Sequence, residues 1–209
     1  MKTRIHSNTQ PPAQPSVATI DTFLTEVRAC RRCAESLPCG PRPVIRASAT
    51  ARVLIVGQAP GRRVHATGIP WNDPSGDLLR QWLDIDRDQF YDERRIAIAP
   101  IGLCYPGTGA SGDLPPQARC APLWHPRLRS HLADLRLILL IGAYAHAYYL
   151  GAMRGRTLTQ TVLAYQDMPH GCFPLPHPSP RNRRWLRDRP WFERDVIPAL
   201  RKRFSAAFL

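Results

Sequence analysis

The stretch Arg52-Val53-Leu54-Ile55-Val56-Gly57-Gln58-Ala59-Pro60-Gly61 decides how the rest of the chain is read. Its four consecutive apolar residues, three of them β-branched, predict a strand buried on both faces. Two glycines around a proline then force a tight turn that exposes its backbone. In an open parallel sheet, ligands bind where the strands end in such turns. A binding site is therefore expected to begin at Gly57.

Other segments take their place around that strand. Short apolar runs at 96–101, 135–141 and 173–176 predict three more strands. Between and around them, helices are expected from Thr19 or Asp21 to Pro38, from Pro74 onward, and over 117–134, 143–150, 157–164 and 191–204. Pro122 and Pro126 should break or kink the helix at 117–134. The spans 62–72 and 104–116 read as loops, and residues 1–16, with Pro11, Pro12 and Pro15, as a disordered tail. Strands alternating with helices predict an α/β protein with three α/β/α layers around a mostly parallel sheet of about four strands, in one domain over 17–209. The 57–61 turn lacks the three-glycine dinucleotide fingerprint.

Composition narrows the partners. The 209 residues suffice for one domain with a real core. Lys+Arg is 29 against Asp+Glu 16, a formal net charge of +13, which favours a polyanion, most simply nucleic acid. Only Lys2 and Lys202 are lysines, so an arginine-rich composition bias is the competing explanation. No run approaches the ~20 apolar residues of a membrane helix, and the polar N-terminus has no signal-peptide core. A cytoplasmic protein without a membrane partner is expected. Its six cysteines are then not a disulfide framework.

Two turns stand out together: the 57–61 turn, and His177-Pro178-Ser179-Pro180-Arg181-Asn182 after the last expected strand. On these residues the chain resembles the uracil-DNA glycosylase superfamily. Its members share a first motif of the Gly-(Gln/Glu/Leu/Met)-x-Pro-(Gly/Tyr) type and a second that starts His-Pro-Ser or close to it. The second turn is similar to that of the single-strand-selective branch, which shares its His-Pro-Ser-Pro-Arg-Asn. The likeness runs from about residue 27 to 204.

The cysteines form a separate pattern. Cys30 and Cys33 make a C-x-x-C pair, and fifteen residues separate Cys104 from Cys120. Four thiolates suit an iron–sulfur cluster or a zinc ion, whereas unliganded they would be ordinary buried cysteines. The spacing is similar to that of the iron–sulfur branch (families four and five), which implies a [4Fe–4S] cluster on Cys30, Cys33, Cys104 and Cys120. Such a cluster would be structural, pinning the N-terminal helix to the loop after the second strand. Cys39 and Cys172 read as ordinary.

The resemblance implies a chemistry. A base that is to leave its sugar must first be flipped out of a duplex. Negative charge then develops on the leaving base and calls for aimed hydrogen-bond donors. His177 is expected to supply one and the Gln58 backbone N–H another; otherwise His177 is a surface histidine in a proline-rich loop. The attacking water needs an acceptor. The superfamily's usual carboxylates are missing from the first turn, where Gln58 and Ala59 stand. Asp73 is the expected substitute, in a segment, Gly68-Ile69-Pro70-Trp71-Asn72-Asp73-Pro74-Ser75-Gly76, similar to one in family five. Its other reading is a helix cap. Trp71 takes the place of a Phe that stacks on the base, or else belongs to the core. Gly57, Ala59, Trp71 and Pro100 are thus the expected base-binding residues. Pro100 stands where family four has a base-reading Asn, and it has neither a side-chain amide nor an N–H. The base read by this chain is therefore left open.

DNA contacts are expected from Arg62, Arg63, Ser179, Arg181, Asn182 and Arg184, with Arg183 and Arg187 beside them, and a wedge at Arg181 and Asn182. No lysine lies near either motif, which leaves no Schiff-base nucleophile. No carboxylate pair of the sugar-hydrolase kind is visible either. The combined expectation is a monomeric, monofunctional DNA-repair glycosylase. It would hydrolyse the N-glycosidic bond of a flipped, deaminated base, uracil first, in single- or double-stranded DNA. The alternatives are a binder of DNA or a modified base with the same fold, and a hydrolase of small nucleosides or nucleotides.

Overall fold

The apolar run at 53–56 forms the strand it predicts and lies inside a four-stranded sheet. The computed structural model describes residues 19–110, 112–169 and 171–209. The tail expected over 1–16 lies outside the described residues. In chain order the elements are α1 (Ile20–Arg28), β1 (Val53–Val56), α2 (Arg62–Thr67), α3 (Pro74–Leu83), α4 (Arg87–Tyr91) and β2 (Ile96–Ile98). They continue with β3 (Thr108–Gly109), β4 (Gly112–Asp113), α5 (Cys120–Ser130), β5 (Leu137–Ile141) and α6 (Ala143–Leu150). The last are α7 (Leu158–Leu163), β6 (Cys172–Leu175), α8 (Arg183–Arg187) and α9 (Ile197–Ala206).

The sheet runs β2-β1-β5-β6 with every pairing parallel: Val53 is opposite Ile96 and Leu137, and Ile138 is opposite Cys172. Alternation along the strands sends side chains to two separate cores. Leu54, Val56, Ile138 and Leu140 meet α1, α5 and α6 on one face. Val53, Ile55, Leu137, Leu139 and Ile141 meet α3, α4, α7 and α9 on the other. This is the three-layer α/β/α architecture. The chain leaves β1 toward β2 on one side and β5 toward β6 on the other. Their carboxyl ends therefore diverge, making the switch point where open parallel sheets place ligands.

Several expected boundaries move, each for a local reason. α1 stops at Arg28, so Cys30 and Cys33 lie beyond the helix expected to contain them. Its buried face is Phe23, Leu24 and Val27, and Cys30 and Cys33 beyond it are half-buried. Residues 62–67, expected as a loop, form α2, a short helix that buries only Val64. The 104–116 loop carries a small antiparallel hairpin, β3–β4. Residues 180–187, not expected to be helical, form a 3₁₀ turn and α8. The last helix begins with a π turn over Phe192–Val196; Pro198, just inside α9, has no N–H to continue an α ladder through it. Among the described residues, no helix is long and apolar enough to cross a membrane.

Candidate active site

A cleft of ≈490 Å³ opens at the carboxyl end of the sheet. Gly57, Gln58, Ala59, Trp71, Asp73, Pro100, His177, Ser179, Arg181 and Asn182 all line it. Four connections that are distant in sequence thus meet: those after β1, before α3, after β2 and after β6. Arg62, Arg63 and Arg184 lie outside the lining, exposed on α2 and α8, and Arg184 is ion-paired with Asp188 at 3.6 Å.

The first turn is held by its carbonyls. Gly57 accepts from the Ile101 N–H and Gln58 from the Gly102 N–H, both at 2.9 Å. The Gln58 N–H makes no hydrogen bond among the described residues. The Gln58 side chain reaches across to donate to the Leu114 carbonyl at 3.4 Å. A Cβ on Gly57 would stand 3.0 Å from the Trp71 ring, so this glycine lets the indole lie against the turn. The Trp71 ring centre is 5.4 Å from that of His177, at an angle of 31°.

Trp71 sits in the left-handed region, at φ 57°, a costly conformation for an aromatic residue. Its neighbours hold it there. Tyr91 Oη donates to the Pro70 carbonyl at 2.7 Å, Arg87 to Asn72 Oδ1 at 3.0 Å, and the buried Arg80 to the Trp71 carbonyl at 3.4 Å. Gly76 completes the fit, because a Cβ there would come within 1.8 Å of the Trp71 carbonyl oxygen. Asp73 does cap α3, with Oδ1 accepting from the Gly76 N–H at 2.9 Å. It lines the cleft as well, so capping α3 does not remove it from the site.

The second turn is equally fixed. Ser179 Oγ accepts from the Arg181 N–H at 3.2 Å, and Asn182 Nδ2 donates to the His177 carbonyl at 2.8 Å. The Asn182 amide is thereby committed to bracing His177. Gly142 has φ +84°, and a Cβ there would come within 3.7 Å of the His177 Cβ. The His177 ring is half-buried, and its Nδ1 is enclosed without a partner among the described residues. Burial holds its pKa below the ordinary range, while the charges of Asp73 and Asp113 pull the other way. The ring is thus neutral near pH 7 and can donate a single N–H.

Pro100 forms one wall, and its carbonyl is occupied. Buried His125 contacts it through Nε2 at 3.1 Å, while His125 Nδ1 meets Tyr149 Oη at 2.7 Å. A carbonyl only accepts, so Nε2 carries the proton and Nδ1 accepts from the tyrosine. Burial pushes His125 down to about 4 and keeps it neutral.

Asp113 is the lining residue that the sequence does not reveal. It ends β4, and a Cβ on Gly61 would lie 3.6 Å from its Oδ2. The cleft therefore holds two carboxylates, Asp73 and Asp113, where no pair was visible in the sequence. Val44, Val64 and Ile98 also line it, without any motif to announce them, and so does Ser75 from the segment that holds Asp73.

The four spaced cysteines do come together. Cys30, Cys33, Cys104 and Cys120 line one small cavity with Leu37, Pro41, Pro43, Leu103 and Trp124. Burial pushes the Cys104 thiol up to about 11 and the Cys120 thiol up to about 12. The Leu103 N–H donates to Cys120 Sγ at 3.3 Å. Among the described residues, no three Cys, His, Asp or Glu side chains stand close enough to hold one metal ion. Cys39 is exposed, and Cys172 is buried in β6.

Compared with known families, residues 45–201 match the model of the uracil DNA glycosylase superfamily.

Proposed function

Because the chain belongs to the uracil DNA glycosylase superfamily, we propose that it is a monofunctional DNA glycosylase that releases a flipped, deaminated base, with uracil the first candidate. The observation that carries this reading is the meeting of the 57–61 turn, Trp71, Asp73 and His177 around one cleft at the switch point of the sheet. In the proposed reaction, water adds its oxygen to C1′ of the sugar as the C1′–N bond breaks. The bonding pair leaves with the base. The water proton passes to Asp73 and then to the departed base, leaving free base and an abasic site.

Each residue has a task in that step. His177, neutral, donates an N–H to the oxygen on which charge develops. With Nδ1 enclosed, Nε2 is the nitrogen to which we assign that proton. The unpaired Gln58 N–H is the second donor. Asp73 has one oxygen on its helix cap and uses the other to orient the water. Trp71 stacks on the base, beside Gly57, Ala59 and Pro100. Arg181 and Ser179 at the cleft, with Arg62, Arg63 and Arg184 on the flanking surface, contact the phosphates of single- or double-stranded DNA.

We assign Cys30, Cys33, Cys104 and Cys120 to a [4Fe–4S] cluster. What supports the assignment is that the four thiols, distant in sequence, line one cavity. The cluster's contribution would be structural, a cross-link from the end of α1 to the loop after β2. Iron and acid-labile sulfide with absorbance near 400 nm are expected; a colourless protein containing zinc would contradict the assignment.

Pro100 favours a second reading, a DNA or modified-base binder without turnover, since the wall that should read the base offers it no N–H. Oligonucleotides carrying uracil, hypoxanthine or xanthine, followed by alkaline cleavage of abasic sites, separate the two. Strand breaks at one of these bases support the glycosylase. Tight binding with no breaks on any of them supports the binder.

A further inference from the structure

Asp113 has no place in the sequence motifs, yet it reaches the cleft that holds them. Three observations bear on it. First, it is positioned: the Thr108 hydroxyl donates to its Oδ1 at 3.5 Å, and the fully buried Tyr105 hydroxyl in turn contacts Thr108. Second, its charge reaches His177 from the hairpin side, while that of Asp73 reaches it from α3. Third, it makes no ion pair among the described residues, although the chain carries a net charge of +13 and Arg181 packs against the adjacent Gly112.

A carboxylate at the mouth of a site that takes a polyanion, with Arg62 near enough to feel its charge but no direct ion pair, works against binding. Its presence there makes sense if negative charge gains more in the transition state than it loses on binding. The glycosylase reaction has such a need. As the C1′–N bond breaks, the sugar becomes oxocarbenium-like and carries positive charge next to the site. Asp73 has one oxygen on the α3 cap and the other assigned to water, so the sugar's charge has no dedicated counter-charge. Resting on the glycosylase reading, we propose that Asp113 is the second acidic residue of the reaction centre, stabilising the positively charged sugar from the β3–β4 hairpin. It neither gains nor loses a proton in this role. The hairpin is then part of the active site rather than a surface decoration, tied to the first turn by the Gln58 side chain on Leu114.

The test compares wild type, Asp113→Asn and Asp113→Glu in single-turnover base release, in binding to an undamaged oligonucleotide of the same sequence, and in thermal melting. The expectation is a split. Asp113→Asn slows release by about 10–100-fold at saturating enzyme. It also binds DNA as tightly as wild type or severalfold more tightly, and it melts within a degree or two of it. Asp113→Glu, which keeps the charge, recovers most of the rate. An active wild type with an Asp113→Asn rate within twofold of it overturns the inference alone. So does an equal loss in both variants accompanied by weaker DNA binding or a lower melting temperature, which would mark Asp113 as a strut of the hairpin. A wild type that releases no base overturns the glycosylase reading, and this role for Asp113 falls with it.

Discussion

The cap that Asp73 makes and the catalytic role proposed for it can be separated by changing a single atom. Its Oδ1 caps α3, and its charge lies in the cleft beside His177. Asparagine caps a helix about as well as aspartate, whereas alanine loses roughly 1 kcal/mol. Asp73→Asn is therefore expected to melt close to wild type yet release base at least ~100-fold more slowly. Asp73→Ala should lose both rate and about 1 kcal/mol of stability. Denaturant melts alongside single-turnover rates check the split; equal rates in Asp73→Asn and wild type would reduce the residue to a cap. At this scale much of the site was legible. The 57–61 turn, Asp73, Trp71 and His177 sit in motifs whose glycines, prolines and spacing are visible along the chain. Asp113 was not, because what defines it is its approach to Gly61, 52 residues earlier, and to the cleft rather than any local pattern.

Short elements around the cleft act through close backbone approach. Gly76 in the first turn of α3 allows the Trp71 carbonyl to lie where a side chain would otherwise be. The added methyl of Gly76→Ala would collide with backbone, which cannot swing away as a side chain does. The expected cost is about 1–3 kcal/mol, with Trp71 displaced from Gly57 and base release impaired. A melt within a few tenths of a kcal/mol of wild type would show that the segment shifts without strain. The elements that the sequence did not disclose are those with little apolar periodicity. α2 has six residues and buries one, so nothing in Arg62-Arg63-Val64-His65-Ala66-Thr67 separates helix from loop. The hairpin strands have two residues each. By contrast, β1 and β5 are continuous buried runs and could be read directly.

Across the whole molecule, buried neutral histidines tie the sheet to its helices and make stability depend on pH. His125 joins α5 to the Pro100 wall and to Tyr149 on α6, and His146 donates from α6 to the Leu140 carbonyl at 2.9 Å. Burial depresses both pKa values, that of His125 to about 4. In the unfolded chain a histidine takes up its proton near pH 6.5. Between that pH and about 4 the unfolded state binds the proton that the native His125 refuses. Stability is then full above pH 6.5 and falls as the pH drops through this window, by on the order of 2–3 kcal/mol for His125. Melts from pH 7 to pH 4.5 should show this fall, and His125→Gln should start less stable but lose less with acid. An unchanged slope in that variant would place the acid sensitivity elsewhere.

The central claim is that one cleft at the switch point of the sheet removes a base from DNA with His177 as donor. Single-turnover base release from uracil-, hypoxanthine- and xanthine-containing oligonucleotides, with wild type and His177→Ala side by side, tests it most directly. The account predicts release of at least one of these bases by wild type and a loss of roughly 100–1,000-fold in His177→Ala, with DNA binding largely retained. No release by wild type on any of them, or equal rates in the two proteins, would contradict it.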